Sequence, residues 1–258
     1  MLRTFKQRLA EDELIRVFAM GRVVHPVVIE MFGLAGGYAG FWLDGEHVGL
    51  TTDQMVTASL AARANDFDSF VRIPPIGYWH VTQCLETGMG GVMAAQIHSA
   101  EQAEEFVQWA KFAPRGKRGI NGSGRDANYT HKSVSQFTQD ANREQFVAIQ
   151  IETTGAVDDA DKIASIEDVD LLFVGPTDLS SALGVGGEFH HQKLWEAIDH
   201  VATVCHKHGK AWGAVTPDAE FANRAVEKGC RMPTFGSEIS ALRKGIGVIE
   251  QTFEKLFS

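Results

Sequence analysis

Three side chains able to move a proton or hold a cation fall within four positions of one another in FWLDGEHVGL (41–50). They are Asp44, Glu46 and His47, directly behind the apolar run Phe41, Trp42, Leu43. Arg72 is embedded in FDSFVRIPP (67–75), among apolar neighbours and ahead of a proline pair, so its guanidinium must find an anion or stay in water. Gln150 and Glu152 close the apolar stretch FVAIQIE (146–152), and Thr177 and Asp178 follow another in LLFVGPTDLS (171–180). Two carboxylates brought together either share a proton or bind a cation. Two protein oxygen donors with space for water and ligand suit an octahedral divalent ion, Mg²⁺, Mn²⁺ or Co²⁺, better than closed tetrahedral zinc. Beside such a pair, His47 is available for acid/base work and Arg72 for stabilising developing negative charge.

Other chemistries lack their residues. A Schiff-base enzyme needs a desolvated lysine at a strand exit, but Lys210 precedes an apolar run and Lys111 belongs to a helical segment. No serine sits in a GxSxG elbow, and the glycines of GKRGINGSG are followed by no GKS or GKT. Cys84, Cys205 and Cys230 are odd in number and far apart, which reads as buried reduced thiols. His190, His191, His200, His206 and His208 fall in or beside one helical segment and are expected on the outer surface.

The elements that must carry the candidate groups alternate. Apolar runs of strand length recur at 15–20, 40–44, 67–73, 90–97, 146–152, 170–175, 210–215 and 230–236. Segments with helical spacing lie between them, such as TTDQMVTASLAARA and QKLWEAIDHVATVCHKH, several opened by a capping Thr, Ser or Asp. Strands apolar on both faces imply a parallel sheet covered by helices. Eight units over 258 residues have the size of a closed (β/α)₈ barrel forming one domain, 1–258, with its chemistry at the C-terminal strand ends. An open doubly wound sheet would want GxGxxG after the first strand, where the chain has AMGRVVHP. Residues 113–145 read as one long connection carrying Arg115, Lys117, Arg118, Arg125, Lys132 and Arg143, able to attract an anionic substrate or meet another subunit. Pro233 cannot donate to a ladder and predicts a bulge or an early end of the eighth strand.

Composition points the same way. With 44% hydrophobic and 22% charged residues the chain can bury a large core, and its net charge of −9 argues against nucleic acid or an anionic membrane as partner. No stretch approaches the ~18 apolar residues of a membrane span. The start, MLRTFKQRLAEDELIR, reads as a charged amphipathic helix with no apolar signal core, so a cytoplasmic location is expected.

FWLDGEH, FVRIPP, APRGKRG, IQIET and FVGPTDLS, in this order, together with VTPDAEFANRAVEKG and FGSEISALRKG, resemble the HpcH/HpaI class II pyruvate aldolases over nearly the whole chain. The resemblance implies a metal-dependent (β/α)₈ (TIM) barrel with an extra N-terminal helix and a last helix exchanged with a neighbour. It further implies a homohexamer, a trimer of dimers, that reversibly cleaves 4-hydroxy-2-oxo acids to pyruvate or hydroxypyruvate and an aldehyde. Carried onto this sequence, it makes Glu152 and Asp178 the metal ligands and Arg72 the enolate stabiliser. His47, directly or through a water it orders, becomes the base. Gln150, Gly175, Pro176, Thr177 and Asp178 become contacts to the oxo acid. A carboxylate should hold His47: the resemblance points to Glu86, where relatives usually carry Asp, and Asp44 is the second candidate. Strand four also departs, reading VMAAQIHS where relatives have a proline and methionine, so Gln96 is expected to reshape the mouth. A lyase of the citrate or malyl-CoA type and a non-catalytic oxo-acid binder are the alternatives. An intact His47 beside Arg72, Glu152 and Asp178 favours catalysis, since a binder needs no base.

Overall fold

Eight short apolar runs close on themselves in a computed structural model that describes residues 3–257. The strands are β1 (Val17–Met20), β2 (Gly40–Asp44), β3 (Asp68–Ile73), β4 (Gly91–Ala94), β5 (Phe146–Ile151), β6 (Leu171–Val174), β7 (Ala211–Val215) and β8 (Cys230–Ser237). Each coincides with one of the runs read from the sequence. All pairings are parallel and consecutive, and β8 returns to β1, which makes the fold a (β/α)₈ barrel. Around it lie α1 (Phe5–Ala10), α2 (Pro26–Ala35), α3 (Thr52–Ala64), α4 (Tyr78–Glu86), α5 (Ala100–Ala110), α6 (Val134–Glu144) and α7 (Thr154–Asp158). The ring continues with α8 (Ala160–Ser165), α9 (Pro176–Ala182), α10 (Gln192–Lys207), α11 (Ala219–Glu227), α12 (Glu238–Thr252) and α13 (Glu254–Phe257). No described helix is long and apolar enough to cross a membrane.

The two-residue period of a strand sorts side chains into two cores. Phe41, Leu43, Val71, Ile73, Val147 and Ile149 face outward and pack under the helices. Trp42, Phe70, Met93, Phe146, Ala148 and Phe173 face inward and fill the barrel. The inward rows then run on into polar residues: Trp42 leads to Asp44, Phe70 to Arg72, and Ala148 to Gln150 and Glu152. Strand register aligns these rows, setting Trp42 against Phe70 and Asp44 against Arg72. The packed interior thus becomes the platform of a polar layer at the C-terminal rim.

The opposite end is plugged by α1. Thr4 and Gln7 form a capping box, and the helix delivers Phe5 into the barrel, where its ring meets Phe70 and Phe146 edge-on at 5.9 Å each. Burying such a ring contributes about 1.5–3 kcal/mol. Gly40 is required beside it, since a Cβ there would lie 1.9 Å from the Asp68 carbonyl oxygen and 2.6 Å from the Phe5 ring.

Two expectations are corrected and a third is settled. The N-terminal helix spans only Phe5–Ala10: Asp12 adopts a left-handed backbone at φ 55° and pairs with Arg231, turning the chain into β1. Met1 and Leu2 lie outside the described residues. The 113–145 connection contains α6, and most of its basic side chains are paired locally. Arg115 meets Glu104 and Asp168, Arg118 meets Asp126, and Lys132 and Arg143 meet Asp140. Pro233 does not end β8 early: the bulge alternative holds, with register shifts at Arg231 against β7 and between Thr234 and Ser237 against β1, while Pro233 lies against Ala214 and the strand continues to Ser237. The cysteines are buried and free, and burial pushes each thiol up to about 12.

Candidate active site

The turn leaving β2 is built by its own carboxylate. Asp44 Oδ1 accepts the backbone N–H groups of Glu46 and His47, both at 3.1 Å, and lies 2.8 Å from Arg72 Nη2. Burial alone would raise the Asp44 carboxyl; the Arg72 guanidinium and the two N–H donors outweigh it and hold the group below the usual carboxylate range. Arg72 is buried, and its guanidinium lies 5.0 Å from the centre of the Trp42 ring, with Nη1 3.3 Å from Glu46 Oε2. That arginine therefore finds two anions and an aromatic face, as its apolar setting requires.

From β5, Gln150 and Glu152 rise into the same mouth. Glu152 is 1% exposed, and its carboxylate takes three amide donors: the backbone and side-chain nitrogens of Gln96 on Oε1, and Gln150 Nε2 on Oε2. Burial is the main influence lifting Glu152 to about 7. Gln96 N–H and Arg72 oppose it, while the charges of Glu46 and Asp178 add to it. Glu46 and Asp178 are each within electrostatic reach of Glu152, although no three His, Cys, Asp or Glu side chains are grouped to hold a metal ion among the described residues. Gly175 ends β6 against this group, where a Cβ would lie 2.6 Å from both Gln150 Nε2 and Glu152 Oε2. Pro176 starts α9, buried, with Thr177 and Asp178 exposed in its first turn.

Glu86 is not paired with His47. Its Oε2 accepts Asn121 Nδ2 at 3.1 Å, held by the 113–133 segment that packs over the end of α4, and it makes no ion pair with His47 among the described residues. Asp44 does not touch the imidazole either, being engaged by Arg72 and the turn. The carboxylate beside His47 is Glu46, with Oε2 3.8 Å from Nε2. Sequence reasoning noted Glu46 but gave it no role. The signal was its spacing, since Gly40, Trp42, Asp44 and Glu46 continue one inward row. The five histidines assigned to the outer surface lie there: His191 caps α10, and His190 and His208 pair with Asp218 and Asp161.

An arginine anchored by two carboxylates, with Gln150, Glu152 and Asp178 nearby, lies at the C-terminal mouth of a (β/α)₈ barrel, where such barrels place their active sites. The profile of the HpcH/HpaI aldolase/citrate lyase family matches residues 40–244. A 5-keto-4-deoxy-D-glucarate aldolase of Shigella boydii serotype 18 is 30% identical over 251 residues, spanning 97% of this chain and 96% of that protein. A solved HpcH/HpaI aldolase from Desulfitobacterium hafniense DCB-2 superposes with a TM-score of 0.89 at 30% identity, covering 96% of each chain. An HpcH/HpaI aldolase/citrate lyase family protein from Burkholderia cenocepacia J2315 gives 0.88 at 28% identity over 98% of each. This chain belongs to the HpcH/HpaI aldolase/citrate lyase family. It is a carbon–carbon lyase of the aldolase kind, in a family that depends on divalent metal.

Proposed function

We propose that the barrel mouth reversibly cleaves 4-hydroxy-2-oxo acids into pyruvate or hydroxypyruvate and an aldehyde, with Glu152 and Asp178 as metal ligands. The observation that carries this reading is the buried Glu152 carboxylate. Glu152, 1% exposed, stands beside Gln150, whose Oε1 is buried without a hydrogen-bond donor, and the charges of Glu46 and Asp178 add to the burial that lifts Glu152. A site so rich in oxygen acceptors and negative charge fits a hard divalent cation, for which Mg²⁺, Mn²⁺ and Co²⁺ are the candidates. Bound there, such an ion supplies a Lewis acid for the substrate's 2-oxo group.

The chain's own residues do the rest. Arg72, held by Asp44 and Glu46, shares the negative charge that grows on the C2 oxygen as the C3–C4 bond breaks. His47, with its side chain 57% exposed and Glu46 Oε2 3.8 Å from its Nε2, takes the proton from the C4 hydroxyl, directly or through a water. Gln150 and Thr177, with the backbone at Gly175 and Pro176, seat the oxo-acid end. The absent Cβ of Gly175 leaves Glu152 and Gln150 room to stand side by side. Glu86, engaged by Asn121, is given no direct part in moving the proton.

The same proposal covers assembly and location. In α12 and α13, Leu242, Ile246, Ile249, Phe253 and Leu256 are all exposed, more apolar surface than a lone helix carries in water. We infer that this C-terminal segment is exchanged with a neighbouring subunit in a homohexamer. Three buried free thiols fit a reducing cytoplasm, and the chain acts as one domain.

A pyruvate-release assay tests the chemistry, using a panel of 4-hydroxy-2-oxo acids that includes 5-keto-4-deoxy-D-glucarate. Activity should disappear with EDTA and return with Mg²⁺, Mn²⁺ or Co²⁺. Full turnover in EDTA would refute the metal assignment.

A further inference from the structure

Gln96 lies two residues past β4, with its backbone in the left-handed region at φ 50°. That conformation is unfavourable for a residue with a Cβ, and it persists where the surroundings use it. Its use is visible at Glu152. Gln96 N donates to Glu152 Oε1 at 2.7 Å, and Gln96 Nε2 reaches the same oxygen at 3.1 Å. Glu152 Oε2 receives Gln150 Nε2, and Gly175 closes against that side. Because Glu152 is 1% exposed, protein donors rather than solvent set the direction of its carboxylate, and Gln96 contributes two of the three. Gln96 itself is exposed, so the rim of the barrel fastens a group that lies beneath it.

We infer that Gln96 is a positioning residue, which holds the Glu152 carboxylate in the orientation that binds a divalent cation at the mouth. This inference rests on the metal reading above. The competing explanation is that Gln96 merely fastens the β4 exit, in which case its loss would lower stability and leave metal affinity untouched.

Two substitutions of the full chain separate these roles. Gln96→Met keeps the side-chain length and removes the amide donor. Gln96→Gly keeps the backbone donor, removes the side chain and relieves the left-handed backbone. Each variant is stripped of metal, its melting temperature is measured, and it is titrated with Mn²⁺ by calorimetry. Q96M should bind Mn²⁺ about tenfold more weakly than the parent chain, with a melting temperature within about 2 °C. Q96G should lose affinity by a similar factor while melting at the same or a higher temperature. Excess Mn²⁺ should restore kcat of Q96M to within a few-fold, as expected for a residue acting through the cation. Mn²⁺ affinity in Q96M within twofold of the parent, or kcat that excess metal does not restore, overturns the role of Gln96. Failure of the parent chain itself to bind Mn²⁺ overturns the metal reading instead.

Discussion

The floor and the mouth of the barrel treat buried charge in opposite ways. At the floor, Asp68 accepts N–H groups from Phe5 and Ser69, and Asp170 accepts that of Val147 and lies 3.2 Å from Lys6 Nζ. Lys111 donates to the carbonyls of Asn142 and Gln145 and sits 3.7 Å from Asp168. At the mouth, Arg72, four residues along β3 from Asp68, pairs with Asp44 and Glu46 through its Nη atoms but keeps Nε without a hydrogen-bond partner, and Gln150 Oε1 is likewise unmet. Glu46, Glu152 and Asp178 gather like charge there. An unmet buried polar group costs about 1–3 kcal/mol. At the rim such atoms are a deficit that an arriving ligand can fill, whereas Arg8 Nε in α1 and Arg115, Arg118 and Arg125 Nε carry the same deficit away from the mouth.

The largest test of that division is Phe5→Ala. Deleting the ring between Phe70 and Phe146 opens a cavity in the floor, and stability should fall by about 3–5 kcal/mol in urea denaturation, with turnover of the folded protein retained. If F5A kept its stability and lost turnover, the two ends would not be separable. Arg72→Ala should do the reverse. Turnover should drop about 10²- to 10³-fold, as loss of one donor to a developing charge does. An unaltered kcat would remove Arg72 from the chemistry.

Most of this division can be read from residue order. The alternation of apolar runs and helical segments located all eight strands, because a parallel strand covered on both faces has little choice of composition. The row Phe146, Ala148, Gln150, Glu152 is likewise visible as a period of two crossing from apolar to polar. What escaped were contacts set by chain segments distant in sequence. Nothing near CLETG shows that Asn121 will claim Glu86, since the 113–133 segment folds back over α4 through backbone contacts that composition does not encode. The pairing of Arg115 was hidden for the same reason, as Glu104 and Asp168 lie outside the 113–145 connection, whereas Arg118, Lys132 and Arg143 find Asp126 and Asp140 within it. Phe5 looked like one apolar residue of an amphipathic helix, and only the closed barrel gives it a hole to fill.

The smallest effect sharpens the comparison at the floor, where a charge is buried yet partnered. Burial pushes the Lys111 ammonium from its ordinary 10.5 down to about 8; the charge of Lys6 adds to this, and Asp170 and Asp168 oppose it. Below pH 8 both native and unfolded chains carry the proton, so the cost of burying it is fully present. Between about 8 and 10.5 the unfolded chain binds a proton that the native one has released, and stability rises with pH across that window. Other groups titrate there too, so the measurement is the stability of the parent chain minus that of Lys111→Met, by urea denaturation at several pH values. The difference should move toward the parent by on the order of 3 kcal/mol as pH climbs through the whole window. A difference that stays flat would mean that water reaches Lys111, and that the floor's charges are kept in place by solvent rather than by their protein partners.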